Sequence, residues 1–373
     1  MSMKPYSFLK KFDRESLVIF MHIINLIIVT LFILVLMILG ITLFYHWKVS
    51  LYNKKLQQKK GKWENKLFEY LGDEKSIDEI SDMLGDDYKI LKDFLTPYLK
   101  NLRGEDYEKL VELAQETGVT PYYLRRLEKG GTKEKIRAAN FLGKVKERKA
   151  LPALEKILHQ DDSDEMIAAA WSIAEIGDKQ YFSPVLKEII NNTHMTYEGI
   201  TELLTQFDRE ICGEIEDLLT GWLEDKKDLE EIFQSSKDII ISLLIDLLGH
   251  FNYFEGIYLL EDTLRKESNT EVIIHIFKAL VKIGYPIEND LKPYLHHENW
   301  VIRSQAVRYA GIIGEEKYLS DYKKLLKEDS NWWVKFYAGE TIFKTAGKDI
   351  LESLAQSQED GSRMSSYILD QIQ

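Results

Sequence analysis

The stretch from Ser16 to Tyr45, SLVIFMHIINLIIVTLFILVLMILGITLFY, limits what this chain can become more than any other part of it. Between Ile23 and Leu43 lie 21 consecutive residues without a charge, and only Asn25, Thr30 and Thr42 among them are clearly polar. At ~1.5 Å of rise per residue, a helix of that length matches the ~30 Å hydrocarbon core of a bilayer. No polar face exists to meet water, so an amphipathic surface helix is excluded. A cleaved signal peptide would carry an apolar core of about 7–15 residues and then small residues. Here the run ends in Phe44, Tyr45, His46 and Trp47, aromatic side chains of the kind that sit at a membrane interface. The expectation is one retained transmembrane helix over residues 17–46, after a short polar lead of residues 1–16.

Its flanks bear on orientation. Lys4, Lys10, Lys11 and Arg14 precede the run, whereas Lys48, Lys54, Lys55, Lys59, Lys60 and Lys62 follow it within a basic juxtamembrane segment, residues 47–62. The larger positive cluster predicts a single-pass protein of the cell membrane with a cytoplasmic C-terminal domain. The single cysteine, Cys212, fits a reducing compartment. Residues 1–62 hold ten lysines and arginines against two acids, a net of +8; the whole chain carries −12, so residues 63–373 carry −20. A basic collar suits anionic lipid headgroups, and the acidic body is repelled by phosphate backbones, which argues against nucleic acid as a partner.

From Trp63 onward nearly every segment has helical spacing, with few prolines and no sustained alternation of strand type. Helices are expected near 64–71, 75–84, 86–101, 105–117 and 120–128, and then in regular pairs. Residues 63–130 form a helical lead-in and residues 131–373 a repeat array. The repeat is visible when Ile136–Asp162 is set beside Met166–Asn192: each has a small-residue helix, a polar turn and a second amphipathic helix. Equivalent anchors fall at Ala138, Ala169, Ile241, Ile276, Ala306 and Ala338, and the one long gap leaves room for a further unit near Leu203 and Leu204. Asn299-Trp300 and Asn331-Trp332 recur 32 residues apart. A helical pair cannot bury both faces alone, so stacked neighbours must supply a continuous core, with small side chains where backbones approach.

A small-residue helix, a Gly-Asp-like turn and an Ala-x-Pro-Ala-Leu helix resemble the HEAT repeat in its short bacterial form, most closely over Ala139–Leu154. Arg303 stands where that family usually has its first-helix arginine; Lys335 and Met166 replace it in other units. The resemblance covers about residues 105–356. It implies an all-α fold, a right-handed α-solenoid of HEAT-like, armadillo-like helical pairs, preceded here by one transmembrane helix. Bacterial relatives with one N-terminal membrane helix resemble non-enzymatic scaffolds, often encoded near membrane glycosyltransferases that make exopolysaccharide. Other HEAT-like repeats occur in lyases that attach bilins to phycobiliproteins.

Chemistry-bearing motifs are scarce. No phosphate-binding, dinucleotide-binding or nucleophile-elbow signature occurs. Cys212 reads as a small buried apolar residue, and His296-His297-Glu298 as a solvated turn. Asp161-Asp162-Ser163-Asp164-Glu165 reads as an acidic cap on the following helix. Trp300, Trp332 and Trp333 stand at equivalent turns. They either seal repeat junctions as core or, with Arg303 and Arg308, form a protein-binding ridge. His22 and Asn25 share a face of the membrane helix and mark a contact with another helix. The expectation is a membrane-anchored scaffold or adaptor, not an enzyme, with no cofactor or metal, binding protein partners that include another membrane protein. Two alternatives are an enzyme or maturation factor of the HEAT-like lyase type, and an external cell-envelope adaptor.

Overall fold

The computed structural model describes residues 14–85, 87–160, 163–192, 194–224, 237–357 and 360–372. The residues expected as a polar lead, 1–13, and the turn residues Asp161 and Asp162 lie outside them. The described residues fall into two compact units, the chain dividing between Val119 and Thr120.

The first unit is organised by one helix, α1, Arg14–Leu71, 58 residues long. Its apolar part is long enough to cross a membrane; an 18-residue window reaches a mean hydropathy of 3.1 and is covered by nothing. The hydroxyls of Thr30 and Thr42 donate to the carbonyls of Leu26 and Ile38, at 2.7 and 2.8 Å, so neither needs water or a partner helix. Gly61 interrupts nothing: it lies mid-helix with open space around it. Beyond it the same helix becomes a core element. Trp63, Leu67 and Tyr70 are buried against α2, Ile77–Leu84, α3, Tyr88–Asn101, and α4, Glu105–Glu116. Trp63 meets Phe94 edge-on at 5.3 Å, and the Tyr98 hydroxyl donates to Glu64 at 2.8 Å. A Ser76–Glu79 capping box starts α2, satisfying backbone donors at both residues.

The second unit is an array of antiparallel helical pairs. Its first helices are α6, Thr132–Lys144, α8, Ser163–Ile176, α10, Tyr197–Leu204, α12, Lys237–His250, α14, Thr270–Ile283, α16, Trp300–Ile313, and α18, Trp332–Ala346. Each stacks on the next. The second helices are α7, Leu151–Leu158, α9, Phe182–Asn192, α11, Cys212–Leu223, α13, Ile257–Lys266, α15, Lys292–Leu295, and α17, Leu319–Glu328. A leading helix, α5, Val119–Lys129, and two closing ones, α19, Lys348–Ala355, and α20, Ser362–Ile372, complete the described elements. Short 3₁₀ turns begin at Arg148, Lys179, Arg209 and Phe254 and lead into α7, α9, α11 and α13. The unit formed by α10 and α11 occupies the long gap in the sequence repeat.

All six anchors are fully buried on first helices, and Leu203 and Leu204 fill the corresponding place on α10. The closest approach, however, comes at glycines near the ends of these helices. A Cβ on Gly143 would stand 2.9 Å from Ser172 Cα, and one on Gly249 would stand 2.7 Å from Ala279 Cα. The Asn-Trp recurrence is a capping signal. Asn299 accepts from the Val301 N–H at 2.8 Å and Asn331 from the Trp333 N–H at 2.9 Å. Asn269 does the same for α14, accepting from Glu271.

Candidate functional site

Because each asparagine must cap its helix, the residue after it begins the helix at the open end of the repeat. Trp300, Trp332 and Trp333 are therefore exposed, at 41%, 46% and 48%, which fits the surface alternative and not the core one. Trp332 stacks on Phe336 one turn later, with 5.2 Å between centroids and 9° between planes, and meets Tyr367 of α20 at 6.0 Å. Trp333 lies over Tyr337 at 6.0 Å, and Arg308 covers the Tyr337 ring at 5.3 Å. Five aromatic rings and a guanidinium thus share one edge.

Arg303 belongs to the framework instead. Its guanidinium holds Asp329 with two bonds of 2.7 and 3.0 Å and donates to the carbonyls of His297 and Glu298. Lys335, its counterpart in the next unit, donates to the Lys327 carbonyl. The histidines between α15 and α16 are similarly occupied: His296 pairs with Asp321 at 2.7 Å, and His297 Nδ1 accepts from the Asn299 N–H. Cys212 is buried, and that burial pushes its thiol up to about 12, so it stays protonated and unreactive.

In the first unit, two of the six collar lysines pair with Asp87, Lys55 from an exposed position. Lys55 reaches Asp87 at 2.7 Å and Lys59 reaches it at 3.6 Å, while the Lys59 ammonium stands 5.0 Å from the Trp63 ring. These lysines draw Asp87 below the usual carboxylate range, against the opposing and largest influence, its own desolvation. Lys48, Lys54 and Lys62 remain exposed and Lys60 half-buried. His22 and Asn25 are exposed on α1.

Sequence reasoning missed a second feature, a groove across α10, α12 and α14 with a cavity of about 820 Å³. α10 has eight residues, whereas its neighbours α8 and α12 have fourteen each, so it spans only part of their length. Along α12 the groove presents Asp238, Ser242, Asp246 and His250 at four-residue intervals. The Asp246 carboxylate binds on both sides: the Tyr197 hydroxyl donates to one oxygen at 2.8 Å, and His275 Nδ1 meets the other at 2.8 Å. Burial, then the Asp246 charge, pushes the Tyr197 phenol upward, so it remains a donor. His250 is moved the other way, downward, by burial and by Lys282. His275 Nε2 has no hydrogen-bond partner among the described residues. The signal in the sequence is faint, because Tyr197, Asp246 and His275 are joined only by the stacking of three helices.

The HEAT repeats family profile matches residues 257–342, from α13 into α18. No curated protein matches the chain. Among solved structures, the chain is similar to the complex of CpcE and CpcF of phycocyanin lyase from Nostoc sp. PCC7120, at 17% identity and a TM-score of 0.23, over 75% of this chain and 94% of that one. Superposition this loose carries no assignment of residues. It does correct one expectation: that complex is a lyase, so an array of this kind does not in itself exclude catalysis, and the exclusion of enzyme activity is withdrawn.

Proposed function

We propose that the chain is a membrane-anchored adaptor whose helical array binds a protein partner, itself a membrane protein, on the cytoplasmic side. The observation that carries this reading is the continuity of α1, in which an uncovered apolar run leads without a break into the core of a folded unit. Tyr52, the first side chain tied to α3 through Asp93, lies seven positions beyond Tyr45. That is ~10 Å of helix, so the folded unit would stand close to the headgroups. Lys48 and Lys54 then serve as the lipid-facing lysines. Lys60 and Lys62 lie ~22–26 Å beyond Tyr45 on a straight helix, several screening lengths away. His22 and Asn25 supply a polar face for a partner helix, and a membrane glycosyltransferase assembly is the kind of partner the family resemblance offers. In two dimensions even a weak contact through the array is reinforced by local concentration.

The aromatic edge is the proposed docking surface, since exposed tryptophans flanked by arginine are characteristic of binding hot spots. Affinity capture from membranes tests it. Trp332→Ala combined with Trp333→Ala should abolish recovery of the partner while the melting temperature is kept. Undiminished capture, or capture from the soluble fraction alone by a chain lacking the apolar run, would contradict the reading.

A second reading, an enzyme or enzyme maturation factor, is favoured by the Asp246–His275 pair. A carboxylate on Nδ1 holds an imidazole in the orientation and tautomer suited to proton transfer at Nε2. Cleavage of p-nitrophenyl acetate that depends on His275 would support it; rates unchanged by His275→Ala would remove it.

A further inference from the structure

We infer that the groove across α10, α12 and α14 seats a lysine- or arginine-bearing segment of a protein partner, with Asp246 and Ser242 at its floor. The inference deepens the adaptor reading, on which it rests, by giving the partner a chemistry and a place.

Charge comes first. Glu198, Glu202, Asp238, Asp246 and Glu271 line the groove against a single lysine, Lys278. Three of these carboxylates have a local reason to be there, because Glu198, Asp238 and Glu271 are each the second residue of a helix, where an acid complements the helix dipole. Acidity alone would therefore mark nothing.

The floor adds an independent observation. Ser242 is 4% exposed, yet its hydroxyl lines the groove and has no hydrogen-bond partner among the described residues. Two other buried hydroxyls of the array turn back onto their own helix, Ser172 donating to the Ala168 carbonyl and Thr263 to the Leu259 carbonyl, both at 2.7 Å, and Thr341 crosses to the Val307 carbonyl. Among the described residues Thr120 lacks a partner as Ser242 does, but it does not line the groove. Ser242 keeps its oxygen for the cavity.

The hydrogen-bonding sense of the surroundings agrees. The Tyr197 proton is committed to Asp246, and with His275 Nδ1 donating to the same carboxylate, Nε2 presents a lone pair. Serine oxygen, imidazole nitrogen and carboxylates together form a field of acceptors. Ammonium and guanidinium groups are donors only, so they match it, whereas an anion would find Lys278 alone. Shape favours a chain over a small amine. Asp238 to His250 spans ~18 Å of helix, enough for about five extended residues, and the flanking Glu198, Glu202, Glu271 and Lys278 are open to solvent.

The test uses the full chain in detergent micelles and a fluorescein-labelled peptide of five Arg-Gly repeats, read by anisotropy at ~150 mM salt, where distant charges are screened. Asp246→Asn with Glu202→Gln should weaken binding about tenfold, and Ser242→Val should weaken it severalfold. Circular dichroism and melting accompany each variant. Glu202→Gln with Glu271→Gln, both exposed positions, gives the same reading if Asp246→Asn disturbs the fold. Asp106→Asn with Glu108→Gln on α4 makes the same change in charge far along the sequence and should leave binding within about twofold. Equal weakening by that control pair, or no binding at ~1 mM peptide, overturns the inference. Either outcome leaves capture through the aromatic edge standing, because the peptide assay involves no native partner.

Discussion

The junction of α16 with α18 and the junction of α10 with α12 are built from the same repeat, and only the first is closed. Between α16 and α18 the chains meet at Gly311, where a Cβ would stand 3.2 Å from Thr341 Cα, and the Thr341 hydroxyl crosses to the Val307 carbonyl at 2.8 Å. Arg303 and Asp329 lock the adjoining turn with their side chains 14% and 4% exposed. Around α12 the close approach at Gly249 is kept and Asp246 bridges to Tyr197 and His275, but α10 is cut to eight residues and the Ser242 side of the junction faces a cavity. Uniform repeats make a continuous core; one shortened helix converts part of that core into a groove.

The contrast can be broken by mutation, and the largest effect is expected in the core on the side of α14 that packs on α15 and α16, away from the groove. Phe277 is fully buried and meets Tyr294 at 5.1 Å and Tyr309 at 6.2 Å. Phe277→Ala should cost ~3–5 kcal/mol of unfolding free energy by denaturant titration, through lost burial and a residual cavity. Ser242→Val on the groove floor should change the same titration by less than ~1 kcal/mol, because no protein hydrogen bond is lost. Equal losses at the two sites would mean that the groove is as tightly integrated as the core.

Arg303→Ala comes next. It strands a buried carboxylate and two carbonyls, so a loss of ~3 kcal/mol is expected, with little recovery by Arg303→Lys, which cannot make the paired contact. A neutral Arg303→Ala combined with failed partner capture would instead return Arg303 to the binding surface. The smallest effect belongs to the cap: Asn299→Ala should cost ~1 kcal/mol, and Asn299→Asp almost nothing.

Legibility in the sequence followed the range of the interactions. Helices and buried anchors were readable because apolar spacing is local: Ala138, Ala169, Ala306 and Ala338 are all buried. The Asn-Trp recurrence was visible as a repeat marker, but its capping role was not read from it. A tryptophan after a capping asparagine points out of the repeat, so these rings were open to a core reading until the cap geometry was known. Arg303 was grouped with the binding ridge because its partner, Asp329, lies 26 residues on, at the end of the second helix of its pair. The collar lysines were counted alike, although Lys55 and Lys59 meet Asp87 from a loop that the local charge pattern does not foretell. The groove was not legible at all, since it depends on the length of α10 and on contacts across three helices.

The claim on which the rest of the account stands is that α1 is both anchor and core element, with the helical array on the cytoplasmic side. The most direct measurement is a pair of C-terminal fusions to the full chain, followed through alkaline carbonate extraction of membranes. The account predicts a chain that stays in the membrane pellet, with a bright fluorescent-protein fusion and an inactive alkaline phosphatase fusion. Release into the carbonate supernatant would contradict the anchor, and an active phosphatase fusion would place the array outside, in favour of an external adaptor.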